Sequence, residues 1–104
     1  MNDRKRLPDR RFAETTKFEV DGHSYYLTVG HFEDMKVAEI FINSSMKLGS
    51  MADINACDGA VAVSLALQYG CPIDVLSSGM KRNADGSAQG PLGAALDTIM
   101  KGKA

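Results

Sequence analysis

Two histidines, two cysteines and a scatter of carboxylates are the residues here that do acid–base or covalent chemistry, and their spacing does not assemble them. His23 and His31 form no HExxH or HxH arrangement and are expected to be exposed loop histidines. Cys57 and Cys71 lie in no Cys-x-x-Cys pair, so neither a zinc ribbon nor a dithiol motif is available, and both are expected reduced and packed. Asp53 and Asp58 fall near the start of a predicted helix, where carboxylates complement the helix dipole without a catalytic role. The segment Gly86–Gly93 matches neither a Walker loop nor a dinucleotide fingerprint. Hydrolysis or group transfer needs a nucleophile with its base, a metal cluster, or carboxylates in contrasting environments. The expectation is therefore a protein that is not an enzyme, with no metal and no cofactor. A small nucleotide hydrolase built on His23, His31 and nearby acids is the weakest reading.

Anion binding suits the residue types better. Ser50–Asp53 and Gly90–Gly93 both read as helix N-termini, whose backbone N–H groups attract phosphate, and the second follows Lys81, Arg82 and Asn83. Arg10, Arg11 and Arg82 would each fork onto a phosphate. Asn55, Asn83 or Gln89 would read a base or ribose edge, and Phe32 or Phe12 would stack on a base. Each has a plainer alternative. Lys81 and Arg82 would offset the dipole of a preceding helix, Arg10 and Arg11 would belong to a solvated tail, and Asn55 would lie on a helix surface.

The elements that must position these groups follow from periodicity. Residues 1–15 carry five basic groups and Pro8 with little pattern, and read as an arm that orders only against something else. From residue 16 to 104 a single domain is expected. Phe18 and Val20 alternate with polar neighbours, Asp21-Gly22 signals a type I′ hairpin, and Tyr25, Leu27 and Val29 continue the alternation. Ala38, Ile40 and Ile42 give a third strand, completing a three-stranded antiparallel meander. Ser50 with Asp53 resembles a capping box, and Gly70 suits the left-handed position past a helix end. Between them Ile54, Cys57, Val61 and Leu65 would form the buried face, although residues 60–67 are apolar on nearly every side. Pro72 opens a second helix, residues 81–90 form a polar loop, and Pro91 opens a third helix with Leu92, Ala95, Leu96 and Ile99 at core spacing. The fold class is α+β, with about three helices packed on one face of the sheet. Tyr26, Val37 and Phe41 would leave the other face partly apolar, which favours a homo-oligomer.

Length and charge narrow the partners. A chain of 104 residues supports one core, and 12 Lys and Arg against 13 Asp and Glu argue against attachment to a nucleic acid polymer or a membrane by charge alone. The imbalance is local. Residues 1–11 hold five basic groups against two acidic ones, so an anionic partner would meet this end. No stretch approaches the ~20 apolar residues of a membrane span, and a soluble, cytoplasmic protein is expected.

The run Ser64–Asp74 (SLALQYGCPID), with Ala38–Ile42 and Leu7–Arg11, resembles the TSCPD-type domain at the C-terminus of adenosylcobalamin-dependent ribonucleotide reductases. The resemblance covers about residues 7 to 100 and implies the domain standing alone. It carries neither the reductase's active-site cysteines nor its cobalamin site. In length, strand-then-helix order and basic N-terminal segment the chain also resembles the phage Thoeris anti-defence sponges. That resemblance implies a homo-oligomer, a dimer or a higher assembly such as a hexamer. In the host cytoplasm it would sequester cyclic ADP-ribose isomers, and in some members cyclic oligonucleotides, without cleaving them. An accessory protein docking on a separately encoded ribonucleotide reductase is the alternative. Ligand contacts of the family are not matched here residue by residue, so the candidates Arg10, Arg11, Phe32, Asn55, Arg82, Asn83 and Gln89 rest on their chemistry.

Overall fold

Alternating strands followed by capped helices become three strands and three helices in the computed structural model, which describes residues 3–44 and 50–102. The first two residues of the expected arm and the last two of the expected domain lie outside the described residues. The strands are β1 (Ala13–Val20), β2 (His23–His31) and β3 (Val37–Ser44), and the helices α1 (Met51–Gln68), α2 (Ile73–Ser78) and α3 (Pro91–Gly102). The sheet is antiparallel in the order β1-β2-β3. Asp21 and Gly22 join β1 to β2 with φ of 52° and 79°, the pair of positive angles that a type I′ turn requires. The fold is α+β, as the pattern predicts, and β1 starts at Ala13, inside the expected arm.

The inner sheet face buries Phe18, Tyr25, Leu27, Val29, Ile40 and Ile42. Helix α1 covers β3, α3 covers β1, and α2 packs on α3. Leu27, Ile40 and Leu96 are the largest fully buried side chains and lie where these layers meet. Val37 departs from expectation. The register between β2 and β3 shifts at Gly30 and His31, and this irregularity turns Val37 into the core instead of the outer face. The outer face keeps Tyr26 and Phe41 exposed, with Lys17 and Asn43 paired to Tyr26.

Helix α1 also turns a different face inward from the expected one. Ala56, Ala60, Val63 and Leu67 are buried, whereas Ile54, Val61 and Leu65 are exposed and Cys57 is half-buried. Small side chains let the helix axis approach the sheet. Its inner flank also carries the polar groups that the edge strand needs. The Ser64 hydroxyl accepts from the Ile40 N–H (2.9 Å) and donates to the Ile40 or Ala60 carbonyl, Gln68 Nε2 donates to the Ala38 carbonyl (3.1 Å), and Cys57 Sγ to the Ile42 carbonyl (3.3 Å). Alternate peptide groups along the open edge of β3 are thereby satisfied by α1, which closes an edge otherwise open to another strand.

Sequence signals at the helix ends work as written. Ser50 Oγ accepts from the Asp53 N–H (3.1 Å). At the other end Gly70, with φ of 96°, places its N–H on the Leu67 carbonyl (3.1 Å) and the Cys71 N–H on the Ala66 carbonyl (2.9 Å), the paired bonds of a Schellman end. Pro72 sits at the N-cap of α2, one position before the helix it was expected to open.

Candidate functional site

Arg82 is held by the protein itself. It stands in the loop between α2 and α3, bridged to Ala88, and its guanidinium meets Asp97 of α3 through Nη1–Oδ2 (2.7 Å) and Nη2–Oδ1 (3.0 Å). The remaining N–H groups donate to the Ser77 carbonyl (2.9 Å) at the end of α2 and to the Gly86 carbonyl (3.1 Å). A planar fork matched to a carboxylate and two carbonyls is a clamp between α2, the loop and α3. Phosphate binding by Arg82 would require breaking it. The Arg82 hydrogen bonds, opposed by burial and helped by Ser77 and Lys101, hold the Asp97 carboxyl below its ordinary value of 3.8.

The sign of the consequence is fixed. A depressed folded pKa adds stability that is complete above the unfolded value and is lost as pH falls through the folded one. Asp97→Asn is therefore expected to lower stability at neutral pH and to flatten the acid limb of the stability profile below about pH 4, where unfolded Asp titrates. Urea midpoints measured from pH 7 to pH 2 check this. A variant whose acid limb parallels the wild type would show that Asp97 carries no such linkage.

The other expected residues spread over separate clefts. Asn83 and Gln89 line one of about 710 Å³ between the β1–β2 turn and α3. Its charged groups are Glu19, Asp21 and Asp97 against Lys101, a balance unsuited to an anion. Asn83 Nδ2 already donates to Ser87 Oγ (3.0 Å). Asn55 lies with Lys81 and Gly90 in a cleft of about 350 Å³ between the starts of α1 and α3. Gly59 lets these helices approach, since a Cβ there would stand 2.9 Å from Leu92 Cδ2.

Arg10, Arg11 and Phe32 belong to the opposite end of β1, which at ~3.3 Å per residue is about 25 Å from the β1–β2 turn. Arg11 pairs with Glu39 through Nε (2.5 Å) and donates to the Pro8 carbonyl (2.9 Å). Phe32 is buried, with Lys5 Nζ 4.2 Å from its ring centroid. Arg10 is exposed and makes no side-chain hydrogen bond among the described residues. The seven candidates therefore do not converge on one ligand within a single chain.

The structure instead brings together residues that the candidate set omits. The arm docks on its own domain. The Lys5 N–H donates to the Gln68 carbonyl at the end of α1 (2.7 Å), and Arg4 Nε to Gln68 Oε1 (2.7 Å). Two adjoining clefts result, sharing Arg6 and Leu7. One, of about 420 Å³, is lined by Arg4, Arg6 and Leu7, and the other, of about 380 Å³, adds Lys5, Phe32 and Asp34. Lys5 reaches Asp34 at 3.6 Å, and this contact, with the Lys36 N–H as the larger cause, lowers the Asp34 pKa. A glutamine at the end of an apolar helix was the available signal for this anchor, and the basic run was the signal for what it holds.

The two histidines sit in strand β2, His23 at its start and His31 at its end, rather than in loops. His31 lies beside Phe12, with ring centroids 5.4 Å apart. Burial, then Asp53 and Asp58, push the Cys57 thiol up, away from a reactive thiolate. Among the described residues no three His, Cys, Asp or Glu gather at metal-binding distance, and no helix is long and apolar enough to cross a membrane.

A meander backed by three helices, with a serine and a glutamine of α1 sealing its edge strand, defines a small α+β domain. The chain belongs to the TSCPD domain family, which it matches over residues 3–101. It is 43% identical over 74 residues to a vitamin B12-dependent ribonucleotide reductase of Bradyrhizobium diazoefficiens, covering 71% of this chain and 6% of that protein. A namesake from Agrobacterium fabrum is 42% identical over 72 residues, 69% of this chain and 6% of that one. Another, from Streptantibioticus cattleyicolor, is 36% identical over 75 residues, 72% of this chain and 12% of that one. The chain thus spans a small fraction of the length of these relatives. No solved structure matches it significantly.

Proposed function

We propose that this protein is a phage anti-defence sponge that binds cyclic nucleotide immune signals, cyclic ADP-ribose isomers and cyclic oligonucleotides, in the host cytoplasm and does not cleave them. The observation that carries this reading is the pair of clefts under the basic arm, where Arg4, Lys5 and Arg6 meet around shared walls. Each cleft has the volume of a small-ligand pocket, and two arginines and a lysine supply the donors that a diphosphate requires. Arg4 and Arg6 in the first cleft are the cations that hold phosphate charge, while in the second Glu33 and Asp34 stand beside Lys5 and Arg6, and Phe32 offers apolar surface at its wall.

Calorimetric titration with cyclic ADP-ribose isomers and cyclic di- and trinucleotides tests it, followed by heat release and mass analysis of the ligand. Tight binding with intact ligand recovered is the expected result. Arg6→Ala should weaken it roughly tenfold to a hundredfold, as loss of a charge-assisted hydrogen bond predicts. Failure to bind any of these compounds would remove the reading.

A second reading is favoured by the sequence similarity to vitamin B12-dependent ribonucleotide reductases. It makes the protein an accessory that docks on a separately encoded reductase. Co-purification with a reductase subunit, together with silence in the titration, would select it.

A further inference from the structure

A tight turn between β2 and β3 carries Asp34 to the basic arm. The Phe32 N–H donates to the Lys36 carbonyl (2.9 Å) and the Met35 N–H to the Phe32 carbonyl (2.9 Å), which closes the turn on itself. Closure puts Met35 at φ of 69°, a left-handed conformation that a residue with a Cβ adopts only at a cost. Within the turn Asp34 Oδ1 accepts from the Lys36 N–H (3.1 Å), and Oδ2 stands 3.6 Å from Lys5 Nζ. The second arm cleft thus already holds an acid of the same chain, fixed by its own backbone and aimed at a cation of the arm.

We infer that Asp34 is an internal competitor for the basic arm, its carboxylate taking the place on Lys5 that a phosphate oxygen would take, so that an incoming diphosphate must displace it. The inference rests on the reading that the arm clefts receive an anion. It adds a barrier that favours ligands of higher charge, because a diphosphate meets Lys5 and Arg6 together where Asp34 offers one carboxylate.

The contact is built to be exchanged. The Lys5 and Asp34 side chains are 57% and 47% exposed, so the pair is solvated and a new acceptor reaches Lys5 without unburying it. Displacement also leaves the arm in place. The Lys5 N–H stays on the Gln68 carbonyl, and at the root of the arm Arg11 stays on Glu39, a buried carboxylate. Glu39 lies across Gly30, where a Cβ would stand 2.7 Å from Glu39 Cγ, so the root is fastened by side chains that fill the only space available. Lys5 Nζ, at the end of a flexible four-carbon stem, is the group that changes partner.

Calorimetric titration of the full chain with inorganic pyrophosphate at low salt is the test. Asp34→Asn keeps an acceptor for the Lys36 N–H and removes the charge. It should bind pyrophosphate about three- to tenfold more tightly than the wild type, with the gain shrinking as salt screens the half-exposed charges. Glu33→Gln removes a charge from the same cleft without touching the Lys5 contact, and should change affinity less than about twofold. Lys5→Met should abolish the gain from Asp34→Asn, as the coupling of two contacting residues requires. Equal or weaker binding by Asp34→Asn, an equal gain from Glu33→Gln, or a gain that survives Lys5→Met would each overturn the inference. Failure of both the wild type and Asp34→Asn to bind pyrophosphate would overturn it as well, while the sponge reading would still stand or fall on the cyclic nucleotide titration.

Discussion

Gln68→Leu is expected to lower the unfolding free energy by about 2–3 kcal/mol and to release the arm, because one buried side chain serves three parts of the fold. Gln68 is 4% exposed, donates to the Ala38 carbonyl on the edge of β3 and accepts from Arg4, while its backbone carbonyl accepts from the Lys5 N–H. Leucine keeps the volume and removes the polar atoms. The Ala38 carbonyl then loses the only side-chain donor it has among the described residues, and Arg4 loses its acceptor. An unsatisfied buried carbonyl costs about 1–3 kcal/mol, and the lost charge-assisted bond adds to it. Urea unfolding reads the first effect, and trypsin cleavage after Arg4, Lys5 and Arg6 reads the second. Unaltered protection of the arm would mean that Gln68 does not anchor it. If the arm clefts hold the ligand, the same substitution weakens binding without touching Arg6.

Leu96→Ala should cost about 3–4 kcal/mol, within the range of buried leucine truncations that leave a cavity. Leu96 of α3 is fully buried and belongs to the core that α3 forms over the sheet. In a domain of this size that loss corresponds to a fall in Tm of about 12–20 °C. Ile99→Ala, at a half-buried position on the same helix, should cost clearly less. A Leu96→Ala variant melting within a few degrees of the wild type would contradict the packing of α3. The same helix carries Asp97, the acceptor of the Arg82 clamp.

Local signals were legible wherever a few neighbouring residues decide the outcome. Asp21-Gly22 admits a type I′ turn because both positions tolerate positive φ, Ser50 caps because its oxygen reaches the Asp53 N–H, and Gly70 ends α1 because the Schellman geometry needs a left-handed residue. The face of α1 was not legible. From Ala60 to Leu67 nearly every side is apolar, so periodicity supplies no preference. The decision came from β3, whose open edge draws Ser64 and Gln68 inward. Val37 was misplaced for a similar reason, since strict alternation has no means of marking the shift at His31.

The candidate site divides the same way. Arg82 has the chemistry of a phosphate ligand, yet Asp97, fifteen residues later, meets it first. Lys5 lies over Phe32 and Glu39 holds Arg11, pairings made where the N-terminal segment crosses the ends of β2 and β3, across long sequence separations. By itself the sequence determined the element order, the α+β class, the capping at both ends of α1 and the basic character of the N-terminal segment, because each depends on residue type within a turn or two. Only the tertiary structure decided which arginines are already paired, which face of α1 is left exposed, and that Arg4 and Lys5 converge on Gln68. Those outcomes depend on which distant carboxylate, carbonyl or edge strand arrives within hydrogen-bonding distance, and the local pattern of a chain does not encode that.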